Sequence, residues 1–461
     1  MKRVAVFLVI SLTLGLASSL VQAEELTLDK CIELALEKRA SIVRARGSAS
    51  QAGAEKLSAL GAFLPNVRAG YSYGKGKTMD MDPVRTIPTV YDTMIVTIAQ
   101  DGDTARDAWI YPIAYETYNE QDEGPSKSWS LSADMYIFNA ANFFNYAAAS
   151  AGKDRSRLDV LASEQDLISS VKISYYAYLA SVENVDVQEE AVLRAEEQLK
   201  LIESRFELGS ASKSDVLRQK VLAGNDRLAL LRATNAVIQA HADLCYTIGL
   251  DPREDHQFST DYRLREYAGT LDEAIGFSMG HNPRLLSAQK MADQSKHTLR
   301  AAKSSYLPYV AGSASYRKFT GTQGYPYDLE YSSNSYSIGF SVNWSIFDGF
   351  SREQHVNSAK VFRNNSLADL ADSRNFTVAR VKTSYSEIDQ YKKQIEVSQE
   401  NVVAAEEDLR ITQEKYNLGA ATILDLLNAQ VTLKEAQVAL IRVQFDLNLA
   451  IARLENAMGK M

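Results

Sequence analysis

Two aspartates hold equivalent places in a pattern that occurs twice. Arg205-Phe206-Glu207-Leu208-Gly209 followed by Asp215-Val216-Leu217 recurs 210 residues later as Lys415-Tyr416-Asn417-Leu418-Gly419 followed by Asp425-Leu426-Leu427. A glycine after leucine at the end of a long helix supplies a left-handed C-cap, and Ser210, Ser212 or Thr422 can start the helix that follows. Asp215 and Asp425 then fall within the first turns of the returning helices, where a carboxylate interacts favourably with the helix macrodipole.

The other reactive residues do not converge. The five histidines, at 241, 256, 281, 297 and 355, lack paired zinc-ligand spacing. There is no P-loop, no Gly-x-Ser-x-Gly and no dinucleotide fingerprint. The reading is therefore of a protein that is not an enzyme, with no catalytic residues, no metal site and no cofactor. Cys31 and Cys245 could pair in an oxidising compartment or stay as buried free thiols. Lys and Arg number 50 against 58 Asp and Glu, a net charge of -8, which argues against a nucleic-acid partner.

The elements that carry the two aspartates belong to a duplicated chain. The offset of 210 also pairs Val171 with Val381, Lys172 with Lys382, Tyr175 with Tyr385 and Gly249 with Gly459. Nearer the start the offset is 243, matching Thr27-Leu28-Asp29 to Thr270-Leu271-Asp272 and Phe63-Leu64-Pro65 to Tyr306-Leu307-Pro308. The difference marks an insertion in the first copy at 78–126, where ten acidic side chains meet only Arg85 and Arg106. It reads as an extended extracellular hairpin, with β-like runs over 94–99 and 108–115, and either a solvated loop or a surface bridged by divalent ions. The first repeat is expected over 24–268 and the second over 269–461, each helix, strand, loop, strand, very long helix, turn, helix.

Strands are expected at about 64–76, 127–138, 307–320 and 335–347, from period-two alternation. Trp129, Leu131, Ala133, Met135 and Ile137 alternate with polar residues, as do Ile338, Phe340, Val342, Trp344 and Ile346. Helical hairpins are expected over 140–248 and 349–458. Their first arms, of roughly 65 residues without proline, would reach about 100 Å at 1.5 Å per residue. In the last helix Leu426, Leu433, Leu440, Leu447 and Leu454 recur every seven residues, with Ala429, Ala436, Val443, Ala450 and Ala457 three positions on. A second stripe, Leu424, Val431, Val438, Phe445 and Ala452, gives this helix two neighbours.

Lys2 and Arg3, the apolar run Val4 to Leu16 and the Val21-Gln22-Ala23 end read as a signal peptide over 1–23, so export is expected. After residue 23 no run of about 18 apolar residues appears, so contact with a membrane core must use strands. Four strands cannot close a barrel, whose smallest forms have about eight. Two copies would fill their interior with side chains, whereas three would leave a lumen, so a cyclic homotrimer is expected.

The signal peptide, the Leu26-Thr27-Leu28-Asp29 opening, the twofold repeat and the paired Phe206-x-Leu208-Gly209 and Tyr416-x-Leu418-Gly419 elements with Asp215 and Asp425 resemble the TolC-type outer-membrane efflux family. The resemblance covers essentially all of 24–461. It implies an α+β membrane protein: a trimeric twelve-stranded transmembrane β-barrel, four strands per protomer, continued by a long periplasmic α-helical barrel. It further implies an outer-membrane exit duct for efflux or type I secretion, a passive conduit driven by an inner-membrane RND or ABC transporter through a periplasmic adaptor. The expected location is the outer membrane, in contact with its lipid and extending into the periplasm. The alternative is a non-conducting periplasmic coiled-coil adaptor or scaffold, which has no need of lipid-facing strands. In such a family Leu208, Gly209, Leu418 and Gly419 form the two periplasmic tip turns, where the helices close the entrance. Phe206 and Tyr416 would pack the tip, with a gating hydrogen bond from the Tyr416 hydroxyl as a further reading. Asp215 and Asp425 then have a second role open to them beside capping, rings of carboxylates that favour cations. Asn428, one turn past Asp425, stands where some members place another acid.

Overall fold

The computed structural model describes residues 25–79, 85–100, 103–118, 121–254, 256–260, 263–323 and 329–460, with side chains outside 76–124 and 322–329. The expected signal peptide, 1–23, lies outside the described residues. The chain runs α1 (Leu28–Lys38), α2 (Ala40–Gly61), β1 (Asn66–Met79), β2 (Arg85–Gln100), β3 (Asp103–Tyr118), β4 (Gln121–Phe138), α3 (Ala140–Glu207) and α4 (Lys213–Ile248). A second series follows: α5 (Leu271–His281), α6 (Pro283–Ser304), β5 (Tyr309–Gln323), β6 (Leu329–Asn343), α7 (Ser351–Asn417) and α8 (Ile423–Met458). Helix lengths in the two series agree: 11 residues for α1 and α5, 22 for α2 and α6, 68 and 67 for α3 and α7, 36 for α4 and α8. Among the described residues no helix is long and apolar enough to cross a membrane.

Two compact units form. One holds residues to Gln51, Gly152–Ala292 and residues from Ser366; the other holds Ala52–Ala151 and Asp293–Asn365. The first is helical. On α8 the seven-residue seam is buried at Leu426, Leu433, Leu447 and Leu454, with Ala429, Ala450 and Ala457 beside it. The second stripe divides: Phe445 and Ala452 are buried, whereas Leu424 is half exposed. Leu447, Ala450, Ile451 and Leu454 pack with Val381, Ile388 and Ile395 of α7. Each such leucine contributes about 1.5–3 kcal/mol by burial. A separate cluster joins Cys31, Ala35 and Ile42 to Val171, Tyr175, Leu179, Leu244 and Ile248. Within it Cys31 and Cys245 are free thiols, not a disulfide. Burial, and then the neighbouring Cys245, pushes the Cys31 thiol up to about 12, so neither environment nor charge favours a thiolate there.

The second unit contains a four-stranded antiparallel sheet in the order β1-β4-β5-β6. Its register aligns chemistry across strands. Tyr71 pairs with Trp129, Ala69 with Leu131 and Val67 with Ala133; Leu131 pairs with Tyr316 and Ala133 with Ala314; Tyr316 pairs with Tyr336, Ala314 with Ile338 and Gly312 with Phe340. One face is therefore apolar. The residues between them pair as Gly70 with Ser130, Arg68 with Ser132, Ser132 with Ser315 and Ser315 with Ser337, a polar face rich in serine that also carries Arg68, Asp134 and Arg317. Among the described residues β1 and β6 are edges, each paired on one side only.

Each strand overruns its expected limits at one end, and three fall short at the other. β4 begins at Gln121 rather than 127 and β6 at Leu329 rather than 335, while β1 and β5 run on to Met79 and Gln323 but begin at Asn66 and Tyr309 rather than 64 and 307. β6 ends at Asn343 rather than 347: its last partner is Tyr309, the first residue of β5, and Pro308 before it has no N–H to extend the ladder, while the Arg352 guanidinium takes the carbonyls of Ser345 and Ile346 at 2.8 and 2.9 Å. In the insertion β2 and β3 form a separate two-stranded sheet, longer than the runs at 94–99 and 108–115. Its acidic side chains, and with them the divalent-bridging reading, lie outside the described side chains.

Candidate functional site: the paired hairpin tips

Both hairpins turn by the same local chemistry. Gly209 and Gly419 adopt φ of 77° and 73°, the left-handed region that a Cβ penalises. The Ser210 N–H reaches back to the Arg205 carbonyl at 2.8 Å, and the Ala420 N–H to that of Lys415 at 2.8 Å, satisfying carbonyls that the helix end leaves open. Ser212 and Thr422 are the N-caps of α4 and α8, each in a capping box. Asp215 accepts the Ser212 N–H at 3.0 Å; Asp425 accepts the Thr422 N–H at 2.9 Å and its hydroxyl at 2.7 Å. The Thr422 hydroxyl first, and then its N–H, hold the Asp425 carboxyl below the usual range.

The two tips are joined by an apolar plug and a polar strap. Ile202 of α3 is buried with Ile423 and Leu426 of α8, and Val216, Leu409 and Tyr416 close around them. Beside the plug Arg205 of α3 donates to Asn417 Oδ1 at 2.9 Å, and its guanidinium lies 5.3 Å from the Tyr416 ring centroid. Burial raises the Tyr416 pKa, the Asp215 charge adds to it, and Arg205 opposes both. A cavity of about 510 Å³ lies between the tips, lined by Arg205, Asp215, Arg218, Tyr416 and Thr422 among others. Asp215, Tyr416 and Gly419 line it; Phe206, Leu208, Gly209, Leu418, Asp425 and Asn428 do not. Leu208 and Leu418 stand 83% and 85% exposed at the turns, and Lys213 lies over the Phe206 ring at 5.6 Å. Asp425 and Asn428 face solvent.

Sequence reasoning missed the residues that tie the hairpins together. Arg205 is one. Farther along, Lys434 of α8 donates to Asp226 of α4 at 2.6 Å, with Asp226 only 4% exposed. Asp226 shares a seven-residue step with buried Gln219 and Ala233, so a charge on the seam register was the available signal. A third link joins Lys172 of α3 to Glu455 of α8 at 2.6 Å, with Arg265 bidentate on the same carboxylate at 2.6 and 3.1 Å. Burial works to raise the Glu455 pKa, but the hydrogen bonds and charges of Arg265 and Lys172 outweigh it and leave it below the usual range.

Long helical hairpins with capped, strapped tips and a four-stranded sheet with one apolar face define a fold shared with solved outer-membrane channels. The Campylobacter jejuni CmeC outer membrane channel superposes with a TM-score of 0.75 at 18% identity, covering 94% of this chain and 85% of that one. CusC superposes with a TM-score of 0.76 at 13% identity, covering 95% and 93%. The chain belongs to the outer membrane efflux protein family, whose profile matches residues 31–250 and 277–460. Among relatives, the outer membrane efflux protein BepC of Brucella suis biovar 1 is 21% identical over 317 residues, 69% of this chain and 68% of the relative. The outer membrane protein TolC of Vibrio cholerae is 22% identical over 365 residues, 74% and 80%.

Proposed function

We propose that this protein is the outer-membrane exit duct of a tripartite efflux or secretion system, a passive conduit formed by three copies. The observation that carries this reading is the sheet. Its four strands have two edges unpaired among the described residues, one apolar face and one polar face rich in serine, with Arg68, Asp134 and Arg317 on it, in a member of an outer membrane efflux family. An open edge in lipid leaves backbone groups unsatisfied, so the sheet needs other copies to close it. Three copies supply twelve strands, the apolar face outward to lipid and the serine face lining water. The chain then reads as two repeats, 24–268 and 269–461, whose hairpins 140–248 and 349–458 form a periplasmic helical barrel.

In this reading the tips are the periplasmic entrance. Asp215 and Asp425 cap their helices and, threefold repeated, place carboxylates around the opening; Arg205, Asn417 and Tyr416 hold neighbouring hairpins together in the closed form. A periplasmic adaptor docks on the tips, and an inner-membrane transporter of RND or ABC type supplies the energy. The family match and the sheet both weigh against a non-conducting scaffold. Membrane fractionation with SDS-resistant oligomer sizing is the direct test. Outer-membrane recovery as a trimer that conducts ions in planar bilayers is the expected result; a soluble monomer without conductance would overturn the reading.

A further inference from the structure

The apolar face of the sheet ends in positive charge on three adjacent strands. In β1 Tyr71 and Tyr73 lead to Lys75, in β4 Leu131 and Trp129 lead to Lys127, and in β5 Ala314 and Tyr316 lead to Lys318. The register makes these lysines neighbours. Lys127 stands opposite Tyr73, two residues short of Lys75, and Lys318 stands opposite Trp129, two residues from Lys127. Each is thus a diagonal neighbour of the next, about 7–8 Å away, and the line of three spans about 15 Å.

All three side chains are exposed, and among the described residues none makes a hydrogen bond or an ion pair. On the other face, by contrast, Arg68 meets Asp134 at 3.5 Å. The acids of the apolar face, Glu123 and Glu330, stand farther out, opposite Lys77 and Thr322. Lys75 lies eight residues from Val67, as Lys127 does from Met135 and Lys318 from Val310. At about 3.3 Å per residue and a strand tilt of about 40°, that is about 20 Å along a barrel axis, close to the height of about 25 Å of a lipid-facing band. The lysines therefore fall at the outer edge of the band, at the end of the sheet remote from Asn66 and Tyr309. There the stems can lie along the apolar face while the ammonium groups reach outward. Beside a low-dielectric phase, charges left without a counter-charge attract an anion more strongly than they would in open water.

We propose that Lys75, Lys127 and Lys318 form a binding site for the phosphorylated glycolipid of the outer leaflet, with the ammonium groups on the phosphates of a lipopolysaccharide headgroup and the apolar face below them taking its acyl chains. This rests on the barrel reading above, which turns that face to lipid. Charge complementarity selects the occupant. A line of cations about 15 Å long can engage two phosphates of one headgroup at once, whereas a lipid with one phosphate, or inorganic phosphate, leaves part of the line unused. Asn334, opposite Lys318 on β6, ends the line, so each copy carries one such site.

Full-length protein purified in detergent and titrated with diphosphoryl lipid A in mixed micelles tests this, with binding read by thermophoresis. A lysine near an anionic lipid surface contributes about fivefold to binding, so the variant carrying K75Q, K127Q and K318Q should keep its oligomer and bind about a hundredfold more weakly. R317Q, on the serine-rich face, should bind as the wild type does. Lipid A stripped of both phosphates should bind the wild type as weakly as the diphosphoryl form binds the triple variant, and inorganic phosphate at the same concentration should displace nothing. Unchanged affinity in the triple variant, an equal loss in R317Q, or displacement by inorganic phosphate would overturn the site. Any of these with an outer-membrane trimer that conducts leaves the barrel standing; a soluble monomer removes the barrel and the site together.

Discussion

Replacing Arg205 with alanine removes the strap between the hairpin tips while sparing the plug of Ile202, Ile423 and Leu426. A hydrogen bond to a charged group is worth about 1.5–3 kcal/mol, and a cation–π contact at an exposed site about 0.5–1 kcal/mol. Asn417 is exposed and Arg205 half buried, which puts both contributions at the low end. The loss is about 2 kcal/mol per copy, and since every 1.4 kcal/mol is tenfold, closed tips should open about 30-fold more often. If three tips open only together the losses combine to about 6 kcal/mol, or about four orders of magnitude. Open probability in planar bilayers reads the effect directly, and its size separates independent from concerted opening. Arg205→Lys keeps a charge near the Tyr416 ring but loses the planar fork, so it should fall between. An intact trimer of the alanine variant with the wild-type open probability would refute the strap as a closing device.

The two left-handed glycines with different surroundings should respond differently. Gly419→Ala meets open space and should cost about 1 kcal/mol, whereas at Gly459 a Cβ would lie 2.6 Å from the His281 carbonyl oxygen, adding about 1–3 kcal/mol of overpacking. Thermal melting in detergent should therefore rank Gly459→Ala below Gly419→Ala. Asp215 and Asp425 changed together to alanine should lower cation over anion permeability; unchanged selectivity with reduced helix stability would leave them capping alone. Glu455→Gln leaves Lys172 and Arg265 sharing a half-buried site without their counter-charge. With Arg265 38% exposed, that should cost about 2–4 kcal/mol, somewhat under a fully buried pair. Because the folded Glu455 pKa is depressed, its contribution is complete above the unfolded value near 4.5 and disappears as pH falls through the folded one. Acid titration of stability should show a shallower loss in the variant over that window.

How far the fold was legible follows from which residues signal it. Apolar residues at seven-residue or two-residue spacing have few other uses, so the α8 seam at Leu426, Leu433, Leu447 and Leu454 and the alternation around Trp129 and Ile338 were readable directly. Turn glycines were equally plain, since Gly209 and Gly419 do what only glycine does cheaply. Strand ends were not. Trp344 and Ile346 continue the alternation of β6, but the partner strand begins only at Tyr309 and Arg352 takes the carbonyls of Ser345 and Ile346, and nothing in a periodic pattern records where a hydrogen-bond ladder stops.

The polar links were hidden for a different reason. Arg205, Lys434 and Lys172 are residue types that cover solvent faces of helices everywhere, and whether one crosses to another helix depends on rotation about axes that sequence spacing leaves open. Asp226 is the informative case. It sits on the α4 seam between Gln219 and Ala233, and a buried carboxylate there is tolerable only if a cation arrives from outside that helix. Lys434 of α8 supplies it at 2.6 Å. Breaking that pair by removing one partner would strand the other, and the gain from a well-packed apolar replacement of both would come at the loss of a contact only one alignment of α4 on α8 permits. Between the apolar clusters, which reward any close packing, Lys434–Asp226 and Lys172–Glu455–Arg265 are thus the contacts that fix how the first hairpin sits along the second.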